Sequence, residues 1–357
     1  MDTNLDLVAF KDGVYNLMSS AFRQGRPEDL LSMCIPFNYP TTDPQQRAEL
    51  LTFLSQIKPQ EDELEYLLDQ LSQCLSGRIR KQVVHILAGQ LACNGRSTLL
   101  RLVQLAFGGY YCSMPIAYLT QKCASANAAN PIILKLKPAR IVGSSEPEEE
   151  TRFDGSILKG LSGGDEQEGR ALFSNKLVSY YPQLRLFILC NDTPYINGKD
   201  KGLKRRITKI TFSSQFKESV NEPDLVNHVY PIKVDMDDKL QSWAPELILL
   251  LLERFKPDYV YSCPSSIQQG TNDYMNENDP VSKFVRDKLE QDADSCITFC
   301  ELRQLWTSGG YGLIKLSDLK KELVRVLGTE CIVDSHFKGE KYKNFFKGYK
   351  VRPEQRL

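Results

Sequence analysis

Between Val83 and Phe107 the chain moves from a strand-forming apolar run, Val83-Val84-His85-Ile86-Leu87, through a short turn into a helix-forming run from Leu99 to Phe107. The turn, Ala88-Gly89-Gln90-Leu91-Ala92-Cys93-Asn94-Gly95, is followed by Arg96-Ser97-Thr98. Strand, Gly-containing turn, basic residue, hydroxyl and helix stand in the order of a phosphate-binding loop. Each part has a physical role. Backbone N–H groups of a tight turn wrap phosphate oxygens, the helix N-terminus adds partial positive charge, a cation neutralises the β and γ oxygens, and a hydroxyl holds Mg²⁺. Gly89, Asn94, Gly95, Arg96, Ser97 and Thr98 are therefore the candidate nucleotide-binding residues, with Arg96 as the cation and Ser97 as the metal ligand. The pattern departs from G-x-x-x-x-G-K-S/T at two points. Gly89 comes one place early, with Gln90 in its stead, and the Lys position holds Arg96. A planar guanidinium is not interchangeable with a compact ammonium. If Arg96 occupies the lysine niche, restoring lysine preserves or raises turnover and alanine weakens ATP binding. On these residues alone an ordinary strand–turn–helix with a chance Asn-Gly turn is the alternative.

The chain has 357 residues, enough for two or three domains. Lys+Arg and Asp+Glu are each 45, so nucleic-acid contact must come from local patches rather than from global charge. The 10 Cys form no Cys-x-x-Cys and only three His are present, a pattern that argues against zinc. Cys296 and Cys300 read as core residues four apart on a helix. No signal peptide opens the sequence, and a reducing compartment is expected. Leu247 to Leu252 is too short to span a bilayer and reads as a buried helix.

Four stretches follow from periodicity and punctuation. Residues 1–80 combine a short extended start with two helices broken at Lys58-Pro59, and read as a helical N-terminal domain. Residues 81–257 alternate strand-like and helix-like segments, as an α/β core does. Residues 258–278 form a loose polar linker. Residues 279–357 form a small domain of helices and a basic aromatic tail with Lys338, Lys341, Lys343, Lys347, Lys350, Arg352 and Arg356, suggesting either a winged helix that holds duplex DNA or a protein partner, or a solvated β-ribbon.

Three further pieces lie downstream of the loop in a consistent order. The strand Ile141-Val142-Gly143 runs to Ser144-Ser145-Glu146-Pro147-Glu148, where Glu146 can orient Mg²⁺ and polarise water, or be a solvated acidic turn. The strand Leu184 to Cys190 ends in Asn191-Asp192, where Asn191 can bond a γ-phosphate or the attacking water, or simply belong to an Asn-Asp turn. A basic run, Lys199 to Arg206, leads into the strand Ile207 to Phe212; it is either a solvated basic loop or, given its place after the other pieces, an arginine finger through Arg205 and Arg206.

This order, with Lys159-Gly160-Leu161-Ser162-Gly163-Gly164-Asp165 and Leu189-Cys190-Asn191-Asp192-Thr193-Pro194, resembles the superfamily III helicases of the poxvirus/iridovirus-type primase-helicases. The resemblance spans roughly residues 5 to 350. It implies an AAA+ P-loop ATPase core, a helical collar-like N-terminal segment, and ATP and Mg²⁺ as cofactors. It implies a homohexameric ring moving on single-stranded DNA in viral or mobile-element replication, with a primase or polymerase as partner and no membrane. The primase half of that family has no counterpart here, and the implied location is an intracellular site of virus replication. Glu146, Asn191, Arg205 and Arg206 then fall on catalytic positions, with Ser97 and Glu146 on the metal. The segment Arg170 to Val178 falls on a channel-facing hairpin, with Arg170 and Lys176 as DNA contacts; Phe173 stacks on DNA or packs in the core. Two other readings stay open, a catalytically weakened DNA-binding ring component and an AAA+ remodeller of protein partners.

Overall fold

The computed structural model describes residues 1–89, 91–120, 130–144, 153–170, 177–191, 201–277, 279–311 and 314–353. These divide into two compact units, one running to Asn272 and one from Asp273 onward.

The first unit opens with an antiparallel meander, β1 (Leu7–Phe10), β2 (Gly13–Asn16) and β3 (Ala21–Arg23). Helix α1 (Pro44–Ile57) begins where the Asp43 carboxylate accepts from the N–H groups of Gln45 and Gln46, with Pro44 at the first helical position. It ends at Lys58, before the proline foreseen as the breaker, and α2 (Glu61–Gln73) follows. Then come β4 (Val84–Ala88), α3 (Arg96–Phe107), β5 (Tyr111–Met114), the short α4 (Ala117–Thr120) and α5 (Pro131–Lys135), and β6 (Ile141–Ser144). After α6 (Gly155–Gly163), β7 (Gln167–Arg170) pairs antiparallel with β8 (Leu177–Tyr180). The chain continues through β9 (Arg185–Cys190), α7 (Lys201–Lys204), β10 (Ile207–Thr211), the small pair β11 (Gln215–Lys217) and β12 (Val229–Pro231), and α8 (Met236–Arg254).

The centre is a parallel sheet in the order β10-β4-β9-β6-β5. Every residue of β4 and β9 is buried, which is why both strands read as continuous apolar runs rather than alternating ones. The strand that feeds the candidate phosphate loop thus sits between β10 and β9, with the loop at the carboxyl edge. Ligands of open parallel sheets bind at that edge.

The segment read as residues 1–80 packs into the same core as the residues that follow. The apolar faces of α1 and α2 have no core of their own. Leu50, Phe53 and Leu54 of α1 and Tyr66, Leu67 and Leu71 of α2 share one core with Leu99 and Leu102 of α3, Phe187 of β9 and Trp243 and Leu247 of α8. Two buried arginines tie the same segment to the amino edge of the sheet. Arg185, at the start of β9, donates to the carbonyls of Gln73 (2.6 Å) and Arg78 (3.0 Å). Arg140, just before β6, donates to those of Leu75 and Leu7. The apolar run at Leu247 to Leu252 is buried in α8, as expected.

The stretch foreseen as a linker, 258–278, contains a helix, α9 (Ser265–Glu277), in which the boundary between the units falls. Its buried residues, Ile267, Tyr274 and Met275, are seven and eight places apart, and the polar residues between them conceal the period.

The second unit runs α10 (Pro280–Lys288), β13 (Leu289–Thr298), α11 (Phe299–Ser308), α12 (Leu316–Leu327), β14 (Ile332–Phe337), β15 (Glu340–Val351), with sheet order β13-β15-β14. Helix-strand-helix-helix-strand-strand is the winged-helix-like order expected from the sequence. Phe284, Leu302, Trp306, Leu319, Leu323 and Phe346 form its core. Thr298 and Glu301 close a capping box at the start of α11. Cys296 and Cys300 do not share a helix. Cys296 is a half-buried residue of β13 and Cys300 an exposed one of α11, because the Thr298 cap separates strand from helix.

Candidate nucleotide site at the carboxyl edge of the sheet

Beyond Ala88 the backbone turns sharply, and its conformation demands the residues found there. Gly95 sits at φ +83°, and a Cβ on it would lie 2.4 Å from Cγ2 of Ile57. A Cβ on Gly89 would lie 2.4 Å from Nδ2 of Asn94. Asn94 is buried and donates to the Leu91 carbonyl at 2.6 Å, and the carbonyl of Cys93 accepts from the Phe216 N–H at 2.8 Å, pinning the loop to β11. Gly95 caps α3 without a side-chain hydrogen bond. The N–H groups of Ser97 and Thr98, in the first helical turn, have no carbonyl one turn earlier in the helix to donate to. Such an N-terminus attracts anions. The Ser97 side chain is exposed and that of Thr98 half-buried.

Arg96 departs from the expected arrangement. Its side chain is 4% exposed and turns back against the strand ends. Nε donates to Oδ1 of Asn94 at 2.9 Å, Nη1 to the Leu87 carbonyl at 3.0 Å and to the Cys190 carbonyl, and Nη2 to Oδ1 of Asn191. Its N–H also reaches Asn94 Oδ1 at 3.3 Å. Ala88 and Cys190 are register partners, so this one fork spans the ends of β4 and β9. The absence of a side chain at Gly89 makes the room, since its Cβ would stand 3.3 Å from Arg96 Nε.

Asn191 is thus where the sequence reading put it, exposed at the tip of β9 and beside the loop. Strand β6 ends at Ser144 on the same edge, paired two residues short of Cys190. Glu146 lies outside the described residues, as does Lys176. Arg205 and Arg206 occupy the opposite edge. The Arg206 carbonyl accepts from the Val84 N–H at the start of β4. From Arg206 to Thr211, which pairs with Ala88, the chain advances five residues, roughly 17 Å at about 3.3 Å per residue, too far for either arginine to reach the loop of its own chain. The two also differ from each other. Arg206 is buried and donates to Gln82 Oε1 and to the Gly202 carbonyl at 3.2 Å, whereas Arg205, which also donates to Gln82 Oε1 at 3.3 Å, is exposed. Arg206 thus holds the base of its loop, and Arg205 is the more exposed of the two.

A cleft of about 240 Å³ opens beside Gly95 and Thr98, lined also by Phe53, Cys93, Phe216, Ile232, Lys233 and Met236. Sequence reasoning missed these walls. They come from α1, β11 and the approach to α8, and no local pattern marks residues so far apart as neighbours. At the segment read as a DNA-facing hairpin, β7 and β8 pair antiparallel from Gln167↔Tyr180 to Arg170↔Leu177, and half-buried Arg170 is the last paired residue of β7. Phe173 also lies outside the described residues.

Comparison with known proteins bears out the resemblance carried by the motifs. Residues 1–81 match the family described as D5 N terminal like. Over 81% of its length the chain is 31% identical to "Putative helicase L207/L206" of Acanthamoeba polyphaga mimivirus. Over 77% it is 28% identical to "Putative helicase V13" of Sputnik virophage. It spans about a third of the length of these relatives, 31% and 34%. Among solved structures the NrS-1 C terminal region aligns with 96% of this chain and 82% of its own, at TM-score 0.52 and 14% identity, which supports the fold.

Proposed function

We propose that this chain, whose kinship lies with the D5-type viral helicases, is a nucleotide hydrolase that assembles as a ring and drives DNA unwinding in replication. The observation that carries the reading is the N-terminus of α3, whose N-cap residue Gly95 offers no side-chain hydrogen bond to the N–H groups of Ser97 and Thr98, set behind a glycine turn that follows β4 and beside an open cleft. Backbone N–H groups there meet the phosphates, and the apolar walls from Phe53 and Phe216 hold a nucleobase by its faces. The exposed Ser97 hydroxyl and Glu146 are the groups assigned to Mg²⁺, which when bound neutralises charge on the β and γ oxygens. Glu146 activates water, Asn191 bonds the terminal phosphate, and Arg205 stabilises the transferring phosphoryl group of a neighbouring copy. The β7–β8 hairpin is the DNA contact, through Arg170 and Lys176. Single-stranded DNA and further copies of the chain, in a homohexamer, are the partners, with a primase or polymerase of the same machinery.

The test is ATP turnover with and without single-stranded DNA. Stimulation by DNA is the expected result. DNA binding without turnover points to a catalytically weakened ring component, and turnover indifferent to DNA to a remodeller of protein partners. A chain that binds no nucleotide contradicts the site itself.

A further inference from the structure

We infer that Arg96 is a positioning residue, not a phosphate ligand: it clamps the phosphate loop to the tip of β9 and fixes the side chain of Asn191. This rests on the nucleotide-hydrolase reading above and reverses the role that its place in the motif suggests. A guanidinium donates only, so the Asn191 atom facing Nη2 is the carboxamide oxygen. With Oδ1 held, the amide group Nδ2 is the end directed away from Arg96, and an amide is what a phosphate oxygen or a water lone pair accepts from. The same fork binds the loop through Asn94 and the carboxyl end of β4 through the Leu87 carbonyl. It reaches β9 through the carbonyl of Cys190, which also accepts from the Gly89 N–H at 3.3 Å. Loop, β4 and β9 therefore meet on a single side chain that is 4% exposed.

Lysine cannot replace this. One ammonium at the end of a flexible stem has no separate Nε and Nη donors to serve Asn94 and Asn191 at once. Phosphate binding falls instead to the N–H groups at the start of α3, which arginine or lysine at position 96 leaves in place. Substitution at 96 therefore acts on the catalytic step through Asn191, and hardly on nucleotide affinity. Gly89 belongs to the same device, since only a residue without Cβ leaves space for the Asn94–Arg96 pair.

The experiment compares the full chain with Arg96→Lys, Asn191→Ala and the double variant. It reads kcat and KM for ATP with single-stranded DNA present, the affinity for a fluorescent ATP analogue, and the unfolding free energy from chemical denaturation. Orienting partners of a site are worth about 10–100-fold. Arg96→Lys is expected to lower kcat by about that factor, with KM and analogue affinity within about twofold of the parent. Asn191→Ala should lower kcat similarly, and the double variant should be no slower than the slower single, because both remove one arrangement. The inference is overturned by any of three results: Arg96→Lys turns over like the parent, it loses analogue affinity while keeping kcat, or the two single losses multiply in the double. A parent chain that binds the analogue but turns nothing over contradicts the hydrolase reading. The clamp is then judged on stability alone, where non-additive losses support it and additive ones refute it. A parent chain that binds no analogue refutes the nucleotide site and this inference together.

Discussion

Gly95 shows how one residue serves fold and site together. Its φ of +83° costs about 1–2 kcal/mol for a residue with a Cβ, and Ile57 already fills the space a methyl would take. Gly95→Ala is thus expected to lower stability by at least about 1–2 kcal/mol in denaturant titration and to abolish nucleotide binding, since the start of α3 must shift. His85 carries a different signature. It is fully buried in β4, stacks on Phe187 at 4.6 Å, and neither ring nitrogen has a hydrogen-bond partner among the described residues. Burial, aided by Arg185, depresses its pKa from 6.5 to about 3. Above pH 6.5 the imidazole is neutral whether the chain is folded or not. As pH falls below 6.5 the unfolded chain takes up a proton that the native chain refuses, so stability declines by up to about 1.4 kcal/mol per pH unit until the native ring protonates near pH 3. His85→Phe should flatten the pH dependence of the unfolding free energy between pH 6.5 and 4. An unchanged slope would mean that other groups set it.

At the scale of elements, the β7–β8 hairpin is the part whose function is most directly measurable. If it tracks a DNA strand, Arg170→Ala weakens single-stranded DNA binding and reduces the slope of log affinity against log salt by about 0.7. A slope equal to the parent's would place Arg170 away from the backbone. Much of this level was legible beforehand. Continuous apolar runs marked β4 and β9, and the punctuation around Lys58 separated α1 from α2. The order of strand, turn and helix was read correctly between β4 and α3. What the sequence did not disclose depends on neighbours distant along the chain. The direction of the Arg96 side chain is decided by the carbonyl of Cys190 and by Asn191, almost a hundred places away. The merging of residues 1–80 with the core is decided by α8, and the burial of Arg206 by Gln82. The polar surface of α9 hid a helix whose apolar contacts are few.

At the scale of the whole molecule, the separation of the two edges of the sheet is the strongest constraint on mechanism. The phosphate loop and Asn191 lie at the carboxyl edge, and Arg205 at the other, roughly 17 Å along the strands. On the proposed reading, in which Arg205 is the finger, a complete catalytic site requires two copies, and turnover per chain should fall steeply on dilution below the assembly concentration. The measurement that tests this most directly mixes two inactive variants, Arg205→Ala and Glu146→Gln. Loss of a finger arginine costs about 10³-fold or more in other phosphoryl-transfer systems. Each variant alone should bind ATP and hydrolyse it poorly. Mixed assemblies contain interfaces where an intact Glu146 faces an intact Arg205 of the neighbour, and hydrolysis should recover to a fraction of the parental rate. If mixed assemblies form and no activity returns, or if the parent chain is equally active as a dilute monomer, the two-copy site is contradicted.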